Sequence, residues 1–264
     1  MGTYFKSGCL ALLLAAMPVF GQAYKAPRTA DGKPNLNGIW QANNEAYWDL
    51  EGHSARGGQV VEMGARAAEP GSLGVVEGGS IPYLPAALAK KKENFANRVK
   101  MDPETKCYLP GVPRSMYMPY PFQIVQSPTA TLIAFEYAGA MRTIYMKDPG
   151  PSPVDSWMGQ SVGHWEGETL VIDSKSFNDS TWFDRAGNFH GDQLHVVERL
   201  TAMGPDTLMF EATIEDPQTF SKPWKISMPL YRRVEKNMQL LEFKCVEFVE
   251  ELMYGNLRKK PATK

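Results

Sequence analysis

The densest grouping of side chains able to do chemistry runs from Phe177 to Glu198 and holds two of the chain's four histidines, His190 and His195. An imidazole oriented by a carboxylate is ordinary equipment for general acid–base catalysis, so either histidine with Asp184 or Glu198 is a candidate pair. His190, His195 and Glu198, with Asp184 as a fourth, are also ligand types for zinc or iron, but their spacing matches no established signature. Asp184, Asn188 and Asp192 are oxygen donors of the kind calcium takes, without the acidic density of an EF-hand loop. The plain alternative is a turn whose Asn and Asp side chains bond their own backbone. All of these stay open, and no metal or other cofactor is assigned.

Gly159-Gln-Ser161-Val-Gly163 matches the G-x-S-x-G expression of hydrolases. That motif works by setting its serine on a tight strand-to-helix turn. Here it runs straight into a hairpin, His164 to Asp173, so the glycines are better explained by a bulge or by tight packing.

Strand phase gives a sharper clue, because side chains alternate between faces. Leu194, Val196, Glu198 and Leu200 share one face, so an inward apolar face carries Glu198 into the interior, where it needs a partner. Leu132, Ala134 and Glu136 form a second such row, and Arg142 shares a face with Ile144 and Met146. A turn centred on Gly139 sets Glu136 opposite Arg142, a natural cross-strand ion pair. Such charges are either a buried structural network or the polar end of a ligand pocket. Trp157, Trp165, Trp182 and Trp224, with Met141, Met158, Met209 and Met228, then supply either a core or the apolar lining of that pocket.

The elements that must position these groups are mostly strands. From Pro121 onward, apolar runs alternate with turn signals, ending in Trp224–Arg233 and Gln239–Phe248. Short connections require antiparallel pairing. About eight strands in consecutive hairpins predict an all-β fold, an up-and-down barrel or strongly curved sheet. Upstream, residues 24–101 are rich in Gly and Pro, with one strand expected at Leu36 to Ala42 and one short helix at Ala86 to Val99. The aromatics there indicate that this extended segment packs on the body, residues 102–264.

Residues 1–23 read as a secretory signal: Lys6, an apolar run from Gly8 to Phe20, then the small residues Gly21 and Ala23. That run is shorter than the roughly 20 residues of a membrane span. Cleavage discards Cys9 and leaves Cys107 and Cys245, which an oxidising periplasm or exterior is expected to pair. A bridge across that separation corresponds to roughly 4–5 kcal/mol in the chain-entropy model. The net charge of −1 has no long single-sign stretch behind it, which argues against nucleic acid or an anionic membrane as partner.

At Asn35-Leu-Asn-Gly-Ile-Trp40, at Cys107-Tyr-Leu-Pro-Gly-Val-Pro-Arg114, at Trp157 to Asp173 and at Leu194 to Arg199, the chain resembles a family of exported β-rich proteins common in proteobacteria and acidobacteria. The resemblance implies export and a β-rich domain and assigns no activity. In outline the hairpin series is also similar to lipocalin-like (calycin) barrels, a likeness that transfers no function.

Two functions follow as expectations. The first is an exported binder of a hydrophobic small molecule, with Trp157, Trp165 and Trp182 as apolar contacts and Glu136, Arg142 and Glu198 orienting its polar end. The second is a cofactor-independent lyase, isomerase or hydrolase, with His190 or His195 as acid or base, Glu198 or Asp184 orienting it, and Arg142 stabilising negative charge.

Overall fold

A computed structural model of the chain describes Met1 and residues 24–57 and 68–257. The expected signal segment, residues 2–23, lies outside the described residues. Nine strands close into a barrel: β1 (Gly38–Ala42), β2 (Phe122–Gln126), β3 (Ala130–Phe135), β4 (Met141–Tyr145), β5 (Gln160–Glu166), β6 (Thr169–Lys175), β7 (His195–Gly204), β8 (Thr207–Glu215) and β9 (Trp224–Arg232). The all-β barrel read from the sequence is present. Ahead of β2 lies helix α1 (Pro85–Met101), and a short helix α2 (Val249–Tyr254) follows the barrel.

Three details depart from a simple series of hairpins. β4 and β5 pair in parallel, through Ile144 with Ser161 and Tyr145 with Val162. The intervening residues 146–159 are long enough to return the chain to the starting end. The strand expected upstream is the closing stave: β1 pairs with β2 on one side and β9 on the other. Closure by β1 leaves no edge for a further strand, so Gln239–Phe248, read as a strand from its alternation, runs as an irregular segment.

The barrel interior is filled. Alternate residues of every strand point inward, among them Ile124, Ile133, Ile144, Ile172, Val196, Leu200, Phe210, Ile214, Ile226 and Leu230, and they form one buried cluster. In β3 the inward set is Thr131, Ile133 and Phe135. The expected inward row Leu132, Ala134 and Glu136 is therefore corrected: its strand residues face outward and Glu136 stands in the following turn. Apart from Thr131 the strand is apolar at both phases, and the larger Ile133 and Phe135 take the core.

The two ends of the barrel differ. At one end the strands are joined by the tight turns 127–129, 167–168 and 205–206. The opposite end gathers the segment leading into β2, the β3–β4 turn, the β6–β7 loop (residues 176–194) and the β8–β9 loop (residues 216–223). Loops on a rigid scaffold are where sites are usually built, and the polar clusters of this molecule lie at or just beneath this end.

Candidate functional site

Just inside the loaded end, four strands each contribute one polar side chain. Arg142 on β4 donates from Nε to Ser161 Oγ of β5 (2.8 Å) and from Nη2 to Ser174 Oγ of β6 (2.7 Å). Its Nη1 donates to Glu198 Oε1 of β7 (3.1 Å), and Nη2 is also bonded to Glu198 Oε2. Ser161 and Ser174 are 3.0 Å apart. All four residues are buried. Glu198 thus enters the interior as its strand phase requires. Its partner is Arg142, whereas Glu136 accepts a bond from the backbone N–H of Leu241 (2.8 Å). The expected Glu136–Arg142 pair does not form, because the register sets Ile133 opposite Arg142.

This network is saturated and closed in by apolar side chains, the arrangement of a structural ion pair. The serine of the G-x-S-x-G match belongs to it and has no histidine partner. The flanking glycines have packing reasons: a Cβ on Gly159 would meet the Phe177 ring, and one on Gly163 would meet Ile144 Cγ2 at 2.7 Å.

The other candidates disperse. His195 sits on the outer wall, with Nε2 2.9 Å from Asp173 Oδ2 and Nδ1 3.5 Å from Glu215 Oε2. His190 is buried in the β6–β7 loop. Its Nδ1–H donates to the Gly191 carbonyl (2.8 Å), which can only accept, leaving Nε2 to accept from the Thr181 hydroxyl (2.7 Å). Burial pushes this imidazole below its usual pKa and keeps it neutral. Asp184 is the hub of the same loop, accepting from the backbone N–H groups of Leu50 (2.9 Å), Ala186 (3.0 Å) and Asn188 (3.2 Å) and from Asn188 Nδ2 (2.6 Å). Asp192, third of the calcium-type donors, is exposed. Among the described residues no group of three or more His, Cys, Asp or Glu is placed to hold a metal ion.

Burial and the nearby Asp49 charge push the Asp184 carboxyl up to about 7. The folded chain then keeps a proton that the unfolded chain, with an ordinary carboxyl near 4, releases. Stability from this source is complete below about pH 4 and falls as pH rises toward 7, by roughly 2–3 kcal/mol between pH 5 and 7. Neutral His190 acts in the opposite sense below about pH 6.5. Urea unfolding at the two pH values should therefore show the fall in wild type relative to Asp184→Asn, and equal slopes in the two proteins would contradict it.

A second buried charge cluster lies outside the barrel wall, at the loaded end. Arg114 donates from Nη1 to Asp102 Oδ1 (3.2 Å) and from Nη2 to Glu104 Oε2 (2.7 Å), which also accepts from Arg185 Nε (2.8 Å). Burial alone would raise the Glu104 carboxyl, but Arg185 and Arg114 together hold it below the usual range. Burial outweighs Arg114 at Asp102 and raises it. Beside this cluster is a narrow cleft, closed too tightly in this structure to admit a water molecule, lined by Glu104, Tyr108, Arg114, Tyr137, Thr181 and Trp182, with Pro103, Leu109, Pro110 and Met118. Two buried donors of its walls, Arg114 Nε and Tyr137 Oη, have no hydrogen-bond partner. Trp157 stacks edge-on against Tyr108 with ring centroids 4.6 Å apart, so two of the three tryptophans expected at a site meet here. Trp165, the third, packs against the barrel core.

Sequence reasoning did not select Arg114, Tyr137, Glu104 or Tyr108 for chemistry. One signal was present: Arg114 follows the Pro-Gly-Val-Pro run and precedes Ser-Met-Tyr-Met, a largely apolar stretch in which a charge calls for a partner.

The geometry defines a closed nine-stranded barrel with a buried ionic core and a polar cleft at its loop-bearing end. In comparisons with known proteins, no family model, no curated protein and no solved structure matches this chain.

Proposed function

We propose that this protein is an exported binder of a small molecule with an aromatic or otherwise apolar body and a hydrogen-bond-accepting head, such as a carboxylate or carbonyl. The ligand is held between the walls of the cleft at the loop-bearing end, which must part to admit it, with the barrel as its scaffold. The observation that carries this reading is the pair of unpartnered buried donors, Arg114 Nε and Tyr137 Oη, on walls that otherwise mix Tyr108, Leu109, Met118 and Trp182 with Thr181 and the arginine-paired Glu104. A buried donor without an acceptor costs about 1–3 kcal/mol, and more when charged. An incoming acceptor that meets both recovers that cost, while the apolar walls take the body of the ligand. Arg142 and Glu198, expected to orient the ligand, are already bonded to one another and serve the scaffold instead. Export is supported by the Cys107–Cys245 disulfide. It is also compatible with the lack, among the described residues, of any helix long and apolar enough to cross a membrane.

Tryptophan fluorescence tests the reading, because Trp182 lines the cleft. Benzoate should change the emission saturably, with a dissociation constant below about 1 mM. Toluene, with the same apolar body and no acceptor, should not, and Trp182→Phe should remove most of the signal. A featureless benzoate titration rejects the proposal.

The Thr181–His190 contact favours a second reading, a hydroxyl nucleophile with its base at the cleft wall. It ranks lower because Gly111 stands against Thr181: a Cβ built on Gly111 would lie 2.5 Å from Thr181 Oγ1. With His190 on one side and Gly111 on another, the hydroxyl has no open line to a bound carbonyl.

A further inference from the structure

The chain beyond β9 does not fold back into the barrel. Residues 238–246 carry no regular secondary structure, and Leu241, Lys244, Cys245 and Val246 are exposed. This strap is nevertheless fastened at four points. Leu241 N–H donates to Glu136 Oε2 (2.8 Å), and the Phe243 ring packs on Tyr137 and Tyr120, with centroids 5.0 and 5.2 Å away. Cys245 is disulfide-bonded to Cys107, and Phe248 N–H donates to the Thr105 carbonyl (2.8 Å).

These anchors fall on the two walls of the cleft. Glu136 and Tyr137 belong to the β3–β4 turn, which forms one wall. Thr105 and Cys107 belong to the 103–110 turn, which supplies Glu104, Tyr108, Leu109 and Pro110 to the other. The strap therefore bridges the walls, and its only covalent fastening is an exposed cysteine bonded to a partly exposed one. The remaining hold is two backbone hydrogen bonds and one ring cluster at the surface, the kind of segment that opens locally at low free energy. With the sulfur bond intact, those weak contacts are kept at high effective concentration, which cutting the bond removes.

We infer that Cys107–Cys245 is a redox latch: it clamps the two cleft walls together, and reduction by a dithiol releases the strap and lets the walls part. A thiolate of the dithiol attacks Sγ of the exposed residue Cys245, forming a mixed disulfide and expelling the Cys107 thiolate. The second thiol of the reductant then attacks its own mixed-disulfide sulfur and frees Cys245. Two electrons pass to the protein, whose disulfide becomes two thiols carrying the two protons of the reductant, and the reductant leaves as a disulfide. The latch itself stands on the geometry of the strap, and its consequence for ligand entry rests on the binding reading above.

Hydrogen exchange of the folded, full-length chain tests it in two states, oxidised and reduced with dithiothreitol then alkylated. Cys245→Ser serves as an independent check that alkylation is not the cause. Amides of residues 103–110 and 137–140 should exchange at least about ten-fold faster after reduction, while β7 to β9 keep their protection. Faster exchange in the strap alone would overturn the latch, as would loss of protection throughout the barrel, which makes the bond a global staple. Benzoate binding is followed in both states. Loosened walls with no benzoate binding in either state uphold the latch and reject the binding reading.

Discussion

Replacing Glu198 with alanine will lower the unfolding free energy by about 3–5 kcal/mol, the usual range for breaking a buried ion pair from one side. The size follows from what remains. Arg142 is 2 % exposed and holds a permanent charge, and after the substitution its donors keep only the neutral hydroxyls of Ser161 and Ser174. Water cannot reach it, since the surrounding positions are filled by Ile144, Ile172, Val196 and other apolar chains. Removing both charges together, Arg142→Met with Glu198→Leu, should recover most of the loss, because no ion is then stranded. Urea denaturation of the two variants checks both statements. A loss below about 1 kcal/mol in Glu198→Ala would mean that the pair is solvated.

The second large effect is expected at Arg114, and it separates binding from folding. Arg114→Lys keeps the charge but gives up the planar fork and the Nε–H. A lysine can satisfy one of Asp102 and Glu104 well, so a stability loss of about 2–3 kcal/mol is expected, alongside loss of saturable benzoate binding. Arg114→Met should cost more, about 3–5 kcal/mol, because Asp102 then lies buried without the Arg114 cation. That penalty should shrink as pH falls, since burial already raises the Asp102 carboxyl and an isolated Asp102 can take up a proton. Denaturation at pH 5 and pH 7.5, paired with fluorescence titration, measures both effects. Benzoate affinity unchanged in Arg114→Lys would remove the arginine from the site.

How much of this was legible in the sequence depends on what each element had to compete against. Glu198 was legible because Leu194, Val196 and Leu200 leave its strand one possible inward face. Its partner was not, because Gly139 is the natural centre for a β3–β4 turn and sets Glu136 opposite Arg142. The true turn spans residues 136–140, and the resulting register shift of three residues, an odd number, turns every β3 side chain over. Ala130 to Phe135 is apolar at both phases but for Thr131, which sits on the inward set, so alternation there pointed to the wrong face. Gln239–Phe248 alternates as a strand would, yet a strand exists only where an edge is open to it. β1, far upstream, had already taken that edge. The disulfide needed only a count and a compartment, and it is present. The cleft escaped because its walls come from three stretches separated in sequence, 103–118, Tyr137 and 181–182, and its key donors are identified by the partners they lack, which no local pattern encodes.

The barrel axis is solid, and the proposed ligand meets Arg114 at the loop-bearing end. Nitrogen-15 NMR of the arginine Nε–H groups during a benzoate titration tests this placement directly. One Nε–H resonance, missing from Arg114→Lys, should shift saturably while that of Arg142 stays fixed. Movement of the Arg142 signal with Arg114 unchanged would place the ligand inside the barrel and contradict the account.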